Sequence, residues 1–286
     1  MFIVSVAVWL ALTGVSPAAS ESQANRSAGL PDTAGAVVPL PSGDQIIRRM
    51  MVHSAALAQA TNAPAWAYDK RMVMECLASD GKVEERDEKL YRVRIIRGVP
   101  FSRLVSVSGH DLSAAEIKQE NEREAAFQKQ ISGRDPKKAV KQREALITEG
   151  MIARFDYQVL RRESVQGRQT IVVRFAPKPG TDSGSIQNRL LSRLAGTLWV
   201  DETTGDVARL KVQMTKELSL GLLGVLGAIK DCRMNIDSKP MADGTWLPEK
   251  TTMSLSARML LASVRFQMQE TSSNFTLEPT SEVAPQ

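Results

Sequence analysis

Aromatic residues make up only 5% of this 286-residue chain, and it holds just two histidines and two cysteines. Each shortage closes a class of function. Single-stranded nucleic-acid surfaces interleave basic clusters with stacking aromatics. No such interleaving occurs, so no nucleic-acid partner is expected. His53 and His110 are far apart, and neither has a Cys or carboxylate at ligand spacing, so no metal site is expected. There is no GxSxG elbow, phosphate-binding glycine loop or dinucleotide fingerprint. Asp201 and Glu202 are adjacent acids, but they precede Thr-Thr-Gly, which is turn chemistry. The chain therefore reads as a non-enzyme with no catalytic residues and no cofactor.

Long apolar runs are also missing after the amino terminus. Residues 1–20 read as a signal peptide, with an apolar Phe2 to Val15 and small residues Ala18-Ala19-Ser20 for cleavage, although no Lys or Arg precedes Arg26. No Cys follows that run, which argues against a lipid anchor. The expected location is the periplasm. Residues 21–41 are rich in Ser, Ala, Gly and Pro and read as a flexible linker, and residues 279–286 as a disordered tail.

The remaining composition is that of a folded domain, 43% hydrophobic and 24% charged, with a net charge of +5 and a pI near 9.3. The basic balance fits a solvated surface, or peripheral contact with an anionic membrane. Order begins at Ser42. Ser42-Gly43-Asp44-Gln45 fits a capping box, and Ile47, Met50, Met51, Leu57 and Ala58 mark one helical face that ends before Pro64. Ser113-Ala114-Ala115-Glu116 is a second capping box, opening a highly charged helical stretch over about 113–150.

Strands account for most of the rest, about eleven, nearly all joinable as an antiparallel meander. Trp66, Tyr68, Met72, Met74 and Cys76 share one parity. Phe155, Tyr157 and Val159 run to a turn at Gln166-Gly167. Leu198 and Val200 enter a hairpin that Ala208, Leu210, Val212 and Met214 leave. From Thr251 to Gln269 the alternation is nearly unbroken, with Met253, Leu255, Ala257, Met259, Val264, Phe266 and Met268 on one side. Period two over that length means one buried and one wet face. The buried face is rich in methionine, whose flexible thioether suits both a gap-filling core and an adaptable cavity wall. Leu218 to Ile229 is apolar with glycines at 221, 224 and 227. It is too short to span a bilayer, and it reads either as core or as a cavity lip that touches a membrane. Cys76 and Cys232 lie on apolar phases and could form a disulfide if their strands are neighbours.

Three segments carry a family resemblance: Gly196-Thr-Leu-Trp-Val-Asp-Glu-Thr-Thr-Gly205-Asp-Val-Ala-Arg-Leu210, Asp243-Gly-Thr-Trp-Leu-Pro248 and Ser273-Asn-Phe275. In them the chain resembles the bacterial outer-membrane lipoprotein-sorting proteins, the Lol-type localisation factors. The resemblance covers mainly residues 150–278. It implies an α+β fold, an open antiparallel half-barrel of about eleven strands wrapped around helices, here over residues 42–278 as one domain. It also implies an apolar cavity for acyl chains of lipids or lipoproteins. Met214, Leu218, Leu222, Leu223, Leu226, Met253, Leu255, Met259, Phe266 and Met268 would line or close it. The charged 113–150 insertion departs from that family. The expected function is an exported carrier or chaperone for acyl chains. The alternative is an envelope sensor of the same fold that binds a protein through 113–150.

Overall fold

The computed structural model describes residues 39–59, 65–96, 99–132, 152–181, 184–220, 227–259 and 262–278. The expected signal peptide, most of the linker and the tail lie outside them. The described residues form one open antiparallel sheet of twelve strands with three helices. In chain order the strands are β1 (Ala65–Leu77), β2 (Val83–Ile96), β3 (Val99–Val107), β4 (His110–Asp111), β5 (Phe155–Val165) and β6 (Arg168–Pro177), then β7 (Leu194–Asp201), β8 (Val207–Met214), β9 (Leu218–Leu220), β10 (Gly227–Pro240), β11 (Trp246–Met259) and β12 (Ala262–Glu278). The helices are α1 (Gly43–Gln59), α2 (Ala114–Ser132) and α3 (Ile186–Leu191).

The spatial order is β4-β3-β2-β1-β12-β11-β10-β8-β7-β6-β5, with β9 paired to the free part of β10. Two meanders, β1–β4 and β5–β12, are therefore zipped together by the first and last strands. The seam is long, running from Ala65 opposite Glu278 to Leu77 opposite Arg265. β4 and β5 are consecutive in the chain yet lie at opposite edges, so the sheet stays open.

Both capping boxes form. The Ser42 N–H donates to Gln45 Oε1 at 2.8 Å, and the Gln45 N–H donates to Ser42 Oγ at 3.2 Å. The Ser113 N–H donates to Glu116 Oε2 at 2.8 Å, and that carboxylate is held below the usual range by the Ser113 hydroxyl and amide. Each box satisfies two orphan amides and fixes where its helix starts. α1 then lays Ile46 and Met50 on Ile171, Val173 and Val200 of β6 and β7. Its first turn presses on β5, where a Cβ at Gly43 would meet the Tyr157 carbonyl oxygen at 2.6 Å.

The sheet coils at the end that holds the β5–β6, β7–β8 and β10–β11 turns. Gln166 Nε2 donates to the Ser238 carbonyl at 3.1 Å, and Val165, Val172, Trp199, Ala208 and Trp246 form one buried cluster. Contacts between strands four places apart require that curvature. Asp201 fastens it. Its carboxylate, almost fully buried, accepts from Arg168 Nε at 2.5 Å, Trp246 Nε1 at 2.9 Å and the Thr203 and Thr204 amides at 2.8 and 3.0 Å. Burial works to raise its pKa, but these donors outweigh burial and hold it below the carboxylate range. The Asp201-Glu202-Thr-Thr-Gly segment is the turn chemistry its sequence indicates, with Gly205 at φ +82°.

Candidate functional site

The strand register builds the site. Met74 of β1 stands opposite Met268 of β12, Met268 opposite Met253 of β11, and Met253 opposite Met234 of β10. Four methionines thus form one row across four adjacent strands, about 14 Å from end to end at ordinary strand spacing. The row continues through Val212, Gly196, Phe175 and Tyr157 to the far edge. The row on one side reads Cys76, Phe266, Leu255, Cys232. The row on the other reads Met72, Glu270, Thr251, Ile236, Leu210, Leu198, Val173, Val159. Met234, Met253, Phe266 and Met268 are buried, with Met72, Met74, Leu210, Val212, Ile236 and Leu255 packed against them. Every described member of this cluster is a strand residue.

A second cluster adjoins it, formed by Leu218, Leu220 and Ile229 with Leu190 of α3, Met214 and Leu255. Leu255 belongs to both, so the apolar face is continuous from β1 to β9. Arg189 of α3 and Arg193 just after it donate to the Ser219 and Glu217 carbonyls at 3.0 Å each, which ties α3 to the segment around β9.

The face is not wholly apolar. Glu270 sits on it directly opposite Met72, and Lys70 one step beyond. Lys70 Nζ lies 3.5 Å from Glu270 Oε1, and the two side chains are only 12% and 10% exposed. Lys70 also lies over the Tyr91 ring at 5.3 Å. Tyr68, stacked on Phe275, has its phenol pushed well up by burial and then by the Glu270 charge. Thr251 and Ser272 are buried beside this pair.

Among the sequence-derived site residues, Met253, Phe266 and Met268 meet in the methionine cluster, and Met214, Leu218 and Leu255 in its neighbour. Leu222, Leu223 and Leu226 lie outside the described residues. Met259 has the inward parity but is 38% exposed, because it ends β11 opposite Ala262. Sequence parity marked Met72 and Met74 as inward, but only the register reveals that Met74 and Met234 continue the row. Glu270 and Lys70 were missed as site residues. Their signal was available, since each carries the parity of its methionine neighbours.

The Cys76–Cys232 pairing is corrected. β1 and β10 are separated by β12 and β11, and both thiols are free. Three inter-strand steps, about 14 Å, exceed the Cα separation a disulfide allows. Burial, then the Asp231 charge, pushes the Cys232 thiol up to about 11, which keeps it protonated and unreactive.

No protein-family model and no curated protein sequence matches the chain. Among solved structures it is similar to a domain described as an outer membrane lipoprotein-sorting protein from Vibrio parahaemolyticus, at 8% identity over 85% of this chain and 94% of that one, TM-score 0.32. It is similar to a LolA superfamily protein from Nitrosomonas europaea, at 10% identity over 84% and 94%, TM-score 0.30. A third is the MucA/MucB complex of Pseudomonas aeruginosa, at 10% identity over 81% and 94%, TM-score 0.23. These likenesses run along most of each chain but superpose loosely. Superpositions this loose do not decide function, which has to come from the geometry of the face.

Proposed function

We propose that this protein is an exported periplasmic carrier or chaperone that holds acyl chains of lipids or lipoproteins against the methionine face. The row Met74–Met268–Met253–Met234 carries this reading. Beneath Ile46 of α1 the same face is built from Ile171, Val173 and Val200, branched side chains with few rotamers. Only outside that region does it turn to methionine, which is unbranched and repacks readily. These side chains cover one another, so a guest chain enters by displacing them. Each buried CH₂ contributes about 0.8 kcal/mol. Ten carbons give about 8 kcal/mol before ordering and the lost methionine contacts are subtracted. The Lys70–Glu270 pair at the border of the row supplies polar partners for the head of an amphiphile.

Native mass spectrometry of protein purified without detergent tests this. Co-purified lipid, or uptake of added palmitate, is the expected result. Protein that stays empty at saturating palmitate overturns it.

A second reading has its own observation. α2 is docked through Glu120, Arg123 and Phe127 and presents Lys118 and Glu122 outward at 80% and 68% exposure. That surface would serve an envelope sensor that binds a protein partner. Reversing both charges leaves the docked side of α2 intact. Loss of partner capture with lipid uptake unchanged would favour the sensor. We also infer a binding rather than catalytic role, since the buried acids Asp201, Glu120 and Glu270 each face a cationic side chain.

A further inference from the structure

Asp201, Glu120 and Glu270 are buried acids, and the third is served differently from the other two. The Asp201 carboxylate accepts four hydrogen bonds at 2.5 to 3.0 Å. The Glu120 carboxylate accepts from Arg123 and from the Leu104 amide. Among the described residues Glu270 accepts no hydrogen bond, and its cation, Lys70, stands 3.5 Å away. A charge-assisted hydrogen bond spans only about 2.8 Å. Lys70 in turn rests over the Tyr91 ring at 5.3 Å. An ammonium has three donors and a carboxylate about four acceptor sites. The pair therefore holds unused hydrogen-bonding capacity of both kinds, in a place where open capacity is costly.

The pair lies at the end of the methionine face. Glu270 stands opposite Met72 and Thr251, and Lys70 opposite Ser272 and Tyr91. Met268 is two residues before Glu270 on the same face, about 7 Å along the strand. A chain laid over the methionines therefore ends within reach of both charges. β2 adds a second pair on the same side. Lys89 stands opposite Met72 and Asp87 opposite Met74, and the two are joined at 2.6 Å. Residues paired directly across strands share a face. The methionines of β1 are thus bordered by two cations and two anions, with neither sign in excess.

That balance discriminates between head groups. An anion can take Lys70 only by leaving Glu270 buried beside it without a cation. A cation that takes Glu270 leaves Lys70 in the same position. Removing one partner of a buried pair is the expensive case. A head that carries both signs gives each side chain a new partner at once.

We propose that Lys70 and Glu270 form a head-group site that selects a phospholipid with a phosphate and a primary ammonium, the ethanolamine class. The phosphate takes the free donors of Lys70, and the ammonium donates to Glu270. The hydroxyls of Thr251 and Ser272 stand across the strands from the pair. A quaternary ammonium has no N–H to give Glu270, so a choline head fits less well. The inference rests on the acyl-chain reading of the methionine face and adds the class of lipid.

The test is a competition read by native mass spectrometry. The full chain, purified without detergent, is offered equimolar palmitoyl lysophosphatidylethanolamine and palmitoyl lysophosphatidylglycerol below their micelle concentrations. The two share one acyl chain and differ in the head. The ethanolamine lipid should be bound in about tenfold excess. Glu270→Gln leaves Lys70 without its acid and should turn the preference to the anionic lipid. Lys70→Met with Glu270→Gln removes both charges and should bring the ratio near one. A pair that only holds β1 to β12 would lower the urea midpoint of these variants and leave the ratio where it was. An ethanolamine excess that survives in the double variant therefore overturns the proposal. A wild-type ratio near one, with both lipids bound, overturns it and leaves the acyl-chain reading standing. Uptake of neither lipid overturns both. The wild-type ratio decides without the variants, should either fail to fold. Glycerophosphoethanolamine has the head and no chain, and separates a lipid from a free phosphoester. It brings no acyl CH₂ to bury, so roughly a hundredfold excess should not displace bound lipid. Displacement would overturn the assignment to a lipid.

Discussion

Under α1 the inner face of the sheet is Ile171, Val173 and Val200. Four strands away on the same face it is Met268 and Met253, flanked by Met74 and Met234. The first region is closed in every direction. α1 covers it, a Cβ at Gly43 would strike β5, and the Phe175 ring lies over Gly196. The second region is built around side chains with three rotatable bonds, drawn from four strands and from no described helix. One sheet thus combines a frame that keeps a single arrangement with a face that can take several. Branched side chains restrict χ1 and specify packing, while methionine fills irregular space and gives way. A carrier needs both properties, and continuous strands place them side by side.

The sharpest way to break the comparison is to overfill the frame. A Cβ at Gly196 would collide with the Lys211 carbonyl oxygen and meet Phe175 Cζ at 2.7 Å. The carbonyl belongs to the paired strand and cannot move without breaking the ladder. Gly196→Val should cost upwards of about 3 kcal/mol, read as a lower urea midpoint with an unchanged slope.

Next in size is the buried fastening of the coiled end. Asp201→Ala leaves Trp246 Nε1 and two amides without their acceptor and should cost about 3 kcal/mol. The pH dependence has a definite sign. The folded pKa of Asp201 lies below the unfolded value of about 3.9. Its stabilising contribution is therefore present above about pH 4 and is lost as pH falls through the folded value. Between pH 7 and pH 3 the wild type should lose more stability than Asp201→Asn, measured by urea denaturation at each pH.

The methionine face should respond in the opposite way. Met234→Leu and Met253→Leu conserve volume and should each cost less than about 1.5 kcal/mol. Together they replace compliant side chains with branched ones. Palmitate uptake should fall about tenfold while stability barely changes, if compliance is what admits the chain. Equal loss of both would mean the row is ordinary core, and the contrast between the two regions would disappear.

Much of this was readable along the chain, because the decisive features were local. Ser42–Gln45 and Ser113–Glu116 encode their own hydrogen bonds within four residues. Gln166-Gly167 encodes a turn, and the parity of Met253, Leu255, Phe266 and Met268 encodes a face. Features set by distant pairing were not readable. Nothing near Met74 announces that it will stand beside Met268, or that two strands will separate Cys76 from Cys232. The very short strands β4 and β9 carry no periodic pattern, so the expected count of about eleven fell one short. Parity also cannot report how far a strand projects, which is why Met259, inward by phase, is exposed at the end of β11. Lys70 and Glu270 were hidden by a different habit, in which charged residues are assigned to the wet face by type.

The smallest expected effect on stability concerns the sheet's other edge. β4 pairs only with Ser106 and Val107, so residues 99–105 of β3, paired with β2 on one side, have no strand on their outer side. α2 fills that place with side chains. The Leu104 N–H donates to Glu120 Oε2 at 3.1 Å, and Arg123 Nη2 donates to the Ser102 carbonyl. Arg123 also lies over the Phe101 ring at 4.5 Å, and Phe127 packs against that ring with centroids 4.9 Å apart. Burial acts to raise the pKa of Glu120, but Arg123 and the Leu104 amide outweigh it and keep the acid ionised. A carboxylate and a guanidinium on one helix thus take the acceptor and donor places of a missing strand. Glu120→Ala with Arg123→Ala should cost only about 1 kcal/mol, because the freed backbone groups can turn to water. The larger consequence is association. An unsealed edge recruits other strands, so sedimentation velocity should show concentration-dependent oligomers in the double variant and none in the wild type. A double variant that stays monomeric would mean that α2 merely rests on β3. The difference between the sealed edge and the compliant face would then have to be sought in β2 and β1 instead.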